Sequence, residues 1–433
     1  VILDYFDVEL KHNNRIVKTE GYIADVLTDA ALRFIEDNKS VPFFCYLPLN
    51  TVHEPIQVPD KYFNKYKQKG LDDALAGIYG MSENIDDNVG RLLTKLDELG
   101  IRENTIVIYT SDNGANTDRY DGNLRGYKAS VHEGGVKVPF FIQWRGHLPE
   151  GRVIAEKTDH IDIFPTILEL AGFSYTRNNA IDGVSLKGLM KGEQQMAERN
   201  LFSHLDGNGA VRTDRYRFVY EEGKAQLYDL KTDPSEVNDL SSSEPALLDS
   251  LYNIYNRWYT DVTAEGFEYV LPAVGYEGWD RVEIPVFQAL LVPFGTGMYD
   301  GSHPRRGWSF EPLDKWINPK EYLEWKIDFH TGGDYRFLLN YNCPESDIGS
   351  KLLIQCDGQH AESFISKAFS GKRKSIHDRV KRITADPRDW TQMELGTMHI
   401  REGEHTVYLR CLEMKGDTVA DVISLHIEKI NQK

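Results

Sequence analysis

Apolar residues Ile23, Val26, Leu27, Ala30, Ala31, Phe34 and Ile35 recur at helical spacing. So do Ile78, Met81, Ile85, Val89, Leu92, Leu93, Leu96 and Leu99, and Gly100 stops that second run. Between these predicted helices, VPFFCYLPL carries prolines near both ends and no polar alternation, which predicts a fully buried strand. TIVIYT and VPFFIQW predict two more strands on either side of a polar, glycine-rich loop, and DIFPTILELAG predicts a short helix. Helices alternating with continuous apolar strands are the signature of a sheet covered on both faces, so residues 1–195 are predicted to be α/β.

The texture changes twice further along. AVRTDRYRFVY and AQLYDL predict short antiparallel strands, and PALLDSLYNIYNRWYTDV predicts an amphipathic helix, giving a small α+β subdomain over residues 196–264. From 267 to 433 the pattern is all-β. Leu323, Trp325, Ile327 and Phe329 alternate with polar residues in YLEWKIDF, Gly332-Gly333 supplies a turn, and YRFLLNY, HTVYLRC and VISLHIEKI repeat the alternation. A β-sandwich is the expected architecture there.

The 433-residue length predicts two or three domains, and 41% hydrophobic with 27% charged residues fits a globular protein. A net charge of −17 without a basic run argues against a nucleic-acid partner. No apolar run reaches the length of a membrane span. Cys45, Cys343, Cys356 and Cys411 show no CxxC spacing, so neither a zinc ribbon nor a thioredoxin motif is present, and a disulfide stays open. The chain starts at Val1, inside what reads as a folded domain, and is expected to be a fragment or a processed product.

The chemistry gathers at strand ends. Asp112 and Asn113 follow TIVIYT at a predicted carboxyl edge, where α/β sheets collect ligands. Their hard oxygens suit calcium or magnesium, and the alternative is an Asx-turn capping the strand. His53 in LNTVHEP follows a predicted strand and can reach the same edge, or be an ordinary surface histidine. Lys128 in NLRGYKASVHEGG supplies a point charge for an oxyanion, or is simply solvated.

Together, PFFCYLPLNTVHEP, NTIVIYTSDNG, LRGYKASVHEGGVKVPFFIQW, DIFPTILELAG, DGVSL and LYDLKTDPSEVNDL resemble, in order and phrasing, the type I sulfatases. These are formylglycine-dependent sulfuric ester hydrolases of the alkaline-phosphatase superfamily, and the resemblance spans residues 1 to about 262. It implies an alkaline-phosphatase-like sheet sandwiched by helices. It makes Asp112 and Asn113 half of a four-oxygen Ca2+ site, His53 the sulfate-contacting donor to the leaving alcohol, and Lys128 a ligand of the sulfate oxygens. Glu133, Gly134, Asp86 and Asp162 look structural. Arg125 and His132 stand open between a role near the substrate and plain loop contacts. The family's Cys/Ser-x-Pro-x-Arg motif, source of the formylglycine nucleophile, normally lies upstream of this histidine segment with an early aspartate pair and a Lys-x-His segment, and none of these is expected in this chain. The resemblance therefore places no nucleophile in this chain, expects formylglycine from a missing N-terminal part, and predicts that the chain alone is inactive.

DYRFLLNYNC and LGTMHIREGEHTVYLRC resemble galactose-binding-like sandwiches, the fold of many carbohydrate-binding modules. Trp279, Trp308, Trp316, Trp325 and Trp390 are then either sugar-stacking or packing residues. The expected function is removal of sulfate from a sulfated carbohydrate, in the periplasm or outside the cell. The alternatives are a phosphonate or phosphodiester hydrolase of the same superfamily, and a non-catalytic glycan-binding protein.

Overall fold

A computed structural model describes residues 4–13, 15–117, 119–175, 180–266, 270–292, 312–314, 316–371, 377–382 and 388–430. The chain forms two compact units, one of residues 1–92 with 269–433 and one of residues 93–268.

In the first unit the predicted helices form as Ile23–Asn38 and Asp73–Glu98, residues 93–98 of the latter being counted in the second unit, with a shorter helix Asp60–Lys67 between them. Ile23, Ala24, Ala31 and Ile35 supply the buried stripe of the first helix, and Asp25 in its first turn favours the positive end of the helix dipole. Asp25 also accepts hydrogen bonds from Asn84 and Asn88, at 2.8 Å each, so this polar contact between helices is satisfied. A hairpin, Glu9–His12 with Arg15–Lys18, precedes them. Tyr5, Val8, Tyr22, Ile23, Ile56, Val58, Tyr62, Ile78 and Met81 share one core.

The all-β part of this unit has two sheets. One orders Arg281–Pro285, Asp421–Lys429, Gly333–Asn342 and Thr391–Ile400. The other orders Leu290–Val292, Tyr322–Phe329, Gly403–Glu413, Lys351–Cys356 and Gln359–Phe364, and Ala273–Val274 pairs in parallel with Tyr322–Phe329. The predicted alternation is real: Leu323, Trp325, Ile327 and Phe329 from one sheet meet Tyr335, Phe337, Leu339 and Tyr341 from the other in a single core. All four cysteines are free. Cys343, Cys356 and Cys411 are buried in this core, and burial pushes their thiols up to about 11, 12 and 11. Trp316 and Trp325 are core residues. Trp279 is half-exposed with the Lys11 ammonium 3.5 Å from its ring centre, and the Arg388 guanidinium lies 5.0 Å from that of Trp390. Trp308 lies outside the described residues.

In the second unit, Val107–Thr110 pairs antiparallel with Phe140–Gln143. Ile106, Phe140, Ile142 and Trp144 pack toward Leu170, Leu186, Leu189 and Met190. A four-stranded antiparallel meander follows: Leu201–Leu205, Asn208–Arg212, Tyr216–Glu221 and Lys224–Asp229. The helix Pro245–Val262 covers one face of it through Leu251 and Tyr255 against Val211, Phe218 and Leu227, while Val131 packs on the other face.

Two expectations need correction. Residues 41–49 are not a buried strand: the backbone has no ladder partner among the described residues, and Phe44 and Tyr46 are 74% and 77% exposed. Cys45 therefore sits in exposed, unpaired chain rather than in a strand. The helix-covered sheet is likewise not formed by these residues, since 107–110 and 140–143 pair antiparallel as a two-stranded ribbon. An apolar run specifies burial, but a strand also needs a neighbour offering N–H and C=O groups in register. The mixed α/β character itself is as expected.

Candidate active site

The second unit brings three of the expected residues onto one pair of loops. Asp112 and Asn113 follow directly on strand Val107–Thr110. Ser111 Oγ donates to Asn113 O at 3.2 Å, and Asn113 Nδ2 donates to Gly114 O at 2.9 Å, which leaves Asn113 Oδ1 as the acceptor end of its amide. Gly114 then donates to Gly135 O at 2.9 Å. A Cβ on Gly114 would come within 1.8 Å of Gly134 O, so only glycine permits this approach. Lys128 N donates to Ala115 O at 2.6 Å and Gly134 N to Arg125 O at 2.7 Å. The lysine loop is thus laced by backbone to the Asp-Asn turn, independently of its side chains. Asp112 is exposed, and Lys128 is half-buried with no side-chain ion pair among the described residues.

A buried charged network holds this loop from behind. Arg217 Nη1 donates to Glu133 Oε1 at 2.6 Å, and its other terminal nitrogen donates to Val131 O. Glu236 accepts the Glu133 amide at 2.9 Å, and its other carboxylate oxygen lies 3.1 Å from His132 Nδ1 and 3.4 Å from Arg217 Nε. His132 Nε2 lies 3.3 Å from Glu221. Arg125 donates to the Tyr228 hydroxyl and to Glu236 O. Arg125 and His132 thus tie their loop to the meander through Tyr228 and Glu221 and to Glu236. Glu133 and Gly134 are structural, a Cβ on Gly134 being 2.3 Å from Gly126 O. Glu236 and Arg217 received no role from the sequence, although Arg217, inside the apolar strand YRFVY, was the available signal: a buried cation in a strand requires anions.

Asp162 anchors the neighbouring turn, accepting Val184 N and Asp159 N at 2.9 Å each and pairing with Arg199. Asp86 is exposed on helix Asp73–Glu98. Burial alone would raise the Asp162 carboxyl, but Arg199 and the two amides outweigh it and hold it below the ordinary aspartate value. A depressed folded pKa stabilises the fold above the unfolded value and ceases to do so as pH falls through the folded one. Asp162→Asn is therefore expected to flatten the loss of stability below about pH 4, checked by urea unfolding of both proteins from pH 7 downward.

His53 belongs to the first unit and is exposed. Its Nδ1 lies 3.1 Å from Glu54 O, an acceptor only, so Nδ1 carries the hydrogen and Nε2 is left for another partner. Tyr5 fixes the loop, its hydroxyl donating to Glu54 O at 2.9 Å and to His53 O at 3.3 Å. Burial pushes the Tyr5 phenol up, which keeps it a donor.

Asp112 and Asn113 fit a hard cation in kind, as two oxygen donors, but fall short of the six to eight that calcium takes. Among the described residues, three metal-capable side chains meet at Cys356, Asp357 and His405, in the all-β part. There His405 Nδ1 is 2.6 Å from Asp357, a direct ion-pair distance.

Residues 4–173 match the family model described as Sulfatase, and residues 126–252 match N-sulphoglucosamine sulphohydrolase, C-terminal. Residues 4–252 are sulfatase-like. This part is 35% identical to the steryl-sulfatase of Mus musculus over 195 residues, 42% of this chain and 30% of the relative. It is 30% identical to a sulfatase of Formosa agariphila over 274 residues, 55% of this chain and 50% of the relative. The solved structure of Ps i-CgsB in complex with k-i-k-neocarrahexaose superposes with a TM-score of 0.54 at 29% identity, over 58% of each chain. The chain spans from about a third to a half of the length of these curated relatives. The sulfatase-like part contains His53, Asp112, Asn113 and Lys128. Contrary to the expectation that this chain lacks it, the pattern Ser-x-Pro-x-Arg does occur at residues 302–306 (SHPRR). It falls after the sulfatase-like part and outside the described residues.

Proposed function

We propose that the protein is a sulfuric ester hydrolase that removes sulfate from a sulfated carbohydrate, with formylglycine as nucleophile and Ca2+ as cofactor. The observation that carries this reading is the backbone lacing of Lys128 to the Asp112–Asn113 turn within a sulfatase-like sequence. Asp112 and Asn113 would hold the cation through their side-chain oxygens, and the cation supplies positive charge to the sulfuryl oxygens. Lys128 adds a second fixed positive charge to the same oxygens. As the S–O bond to the sugar breaks, His53 Nε2 in its protonated state gives its proton to the departing oxygen, so an alcohol leaves rather than an alkoxide. The nucleophile is assigned to residues beyond this chain, and residues 1–433 alone are assigned no turnover. The oligosaccharide bound to Ps i-CgsB and the all-β part, read as a galactose-binding-like sandwich, favour a sugar over the sterol named in the murine relative. An exported protein, periplasmic or secreted, suits such a substrate.

Sulfate release from sulfated oligosaccharides by the full-length protein tests this reading. Release should require calcium, be abolished by chelation and restored by Ca2+, and be absent with residues 1–433 alone. Faster turnover of a matched phosphate ester would assign the protein to phosphoryl chemistry instead.

A further inference from the structure

The all-β part does more than follow the sulfatase-like part in sequence. Residues 377–382 lie against the segment that begins two residues after Glu54. Arg379 N donates to Ile56 O at 2.9 Å, and its guanidinium donates to Val58 O at 2.6 Å, pairs with Asp60 and lies 4.4 Å from the ring centre of Phe63. Asp378 accepts Gln57 Nε2 at 2.7 Å and holds Arg382 at 2.9 Å. Gln57 is fully buried, and its side-chain oxygen accepts Tyr5 N at 2.7 Å. Tyr5 in turn donates to the carbonyls of His53 and Glu54. Val380 packs on the core that contains Ile56 and Val58, and His377 lies 4.5 Å from Phe6, ring to ring.

We propose that Asp378 and Arg379 are positioning residues for His53, so that the all-β part supplies one wall of the catalytic loop. The inference rests on the sulfatase reading for what His53 does, but not for how it is held. Three features separate this from ordinary packing. The bonds fall on consecutive residues, 56, 57 and 58. Two of them grip backbone carbonyls, which fixes the path of the chain rather than the identity of a side chain. The third passes through Gln57 and Tyr5 to the carbonyl of His53 itself. A displacement of about 1 Å at a reacting group is enough to cost on the order of 100-fold in rate.

The test uses Arg379→Ala, Arg379→Lys and Asp378→Ala in the full-length protein, with hydrogen exchange of residues 50–60 and steady-state kinetics measured side by side. In Arg379→Ala and Asp378→Ala, exchange in 50–60 should rise about 10-fold while helix Ile23–Asn38 is unchanged. For sulfate esters, kcat should fall about 10- to 100-fold with KM moving less than about 3-fold, and the limb of the pH profile governed by His53 should shift. Arg379→Lys, which keeps a cation for Asp60 and a donor for Val58 O, should recover part of both. Unchanged exchange across 50–60 in both alanine variants overturns the proposal, as does faster exchange with kcat within about 2-fold of the parent. If the parent protein releases no sulfate at all, the sulfatase reading fails. The exchange data then still decide whether the loop is braced.

Discussion

Lys128→Ala in the full-length protein is expected to lower kcat/KM for sulfate esters by about 10²- to 10³-fold, the usual cost of removing one fixed charge from a developing anion. Folding should survive. The loop is held by Lys128 N on Ala115 O and by Gly134 N on Arg125 O, bonds that alanine or arginine at 128 can keep. The side chain has no ion pair among the described residues, so its removal strands no partner. Lys128→Arg should recover only part of the rate, because a planar fork does not place its charge where a compact ammonium does. Steady-state kinetics on all three proteins, with matched thermal unfolding, decides the matter. A loss below about 3-fold would remove Lys128 from the reaction centre, leaving the Asp112–Asn113 turn without its cationic neighbour in the mechanism.

Glu236→Ala is expected to cost about 3–5 kcal/mol in the unfolding of the second unit, the penalty for leaving a buried charge without its partner. Arg217 is buried on all sides, and burial pulls its guanidinium below the ordinary value, a shift that Glu133 and Glu236 oppose. Removing Glu236 withdraws one of those two anions and also strands the Glu133 amide and His132 Nδ1. Glu236→Gln keeps an acceptor for the amide and should cost less. Trp258, stacked on Phe202 at 4.7 Å on the meander, gives a fluorescence readout for urea unfolding. Equal stability of Glu236→Ala and the parent would mean that Glu133 alone compensates Arg217.

Periodicity located helices Ile23–Asn38, Asp73–Glu98 and Pro245–Val262 and the strand Tyr322–Phe329, because each buries one face and the pattern of that face is local. It failed at residues 41–49, where the same apolar signal describes chain that no ladder pairs among the described residues. It passed over the hairpin Glu9–His12/Arg15–Lys18, whose side chains are mostly exposed and leave no hydrophobic trace. The site was half legible. Asp112, Asn113 and Lys128 stand in recognisable stretches, but the bond from Lys128 N to Ala115 O has no counterpart in side-chain identity. Glu236 lies in LYDLKTDPSEVNDL, yet nothing local distinguishes it from Asp229, Asp233 and Asp239 in the same stretch. Only folding brings it to Arg217, 19 positions earlier in the numbering.

The grip of Arg379 on Ile56 and Val58 has an evolutionary corollary. Every amino acid carries a main-chain carbonyl, so substitutions at 56 and 58 that preserve the core leave both bonds intact. Through these two bonds Arg379 is constrained by partners whose identities are free to drift, and they will leave no correlated substitutions in a family alignment. The pairs joined side chain to side chain, Gln57 with Asp378 and Arg379 with Asp60, can record in inheritance that the two parts of this unit shape one loop together.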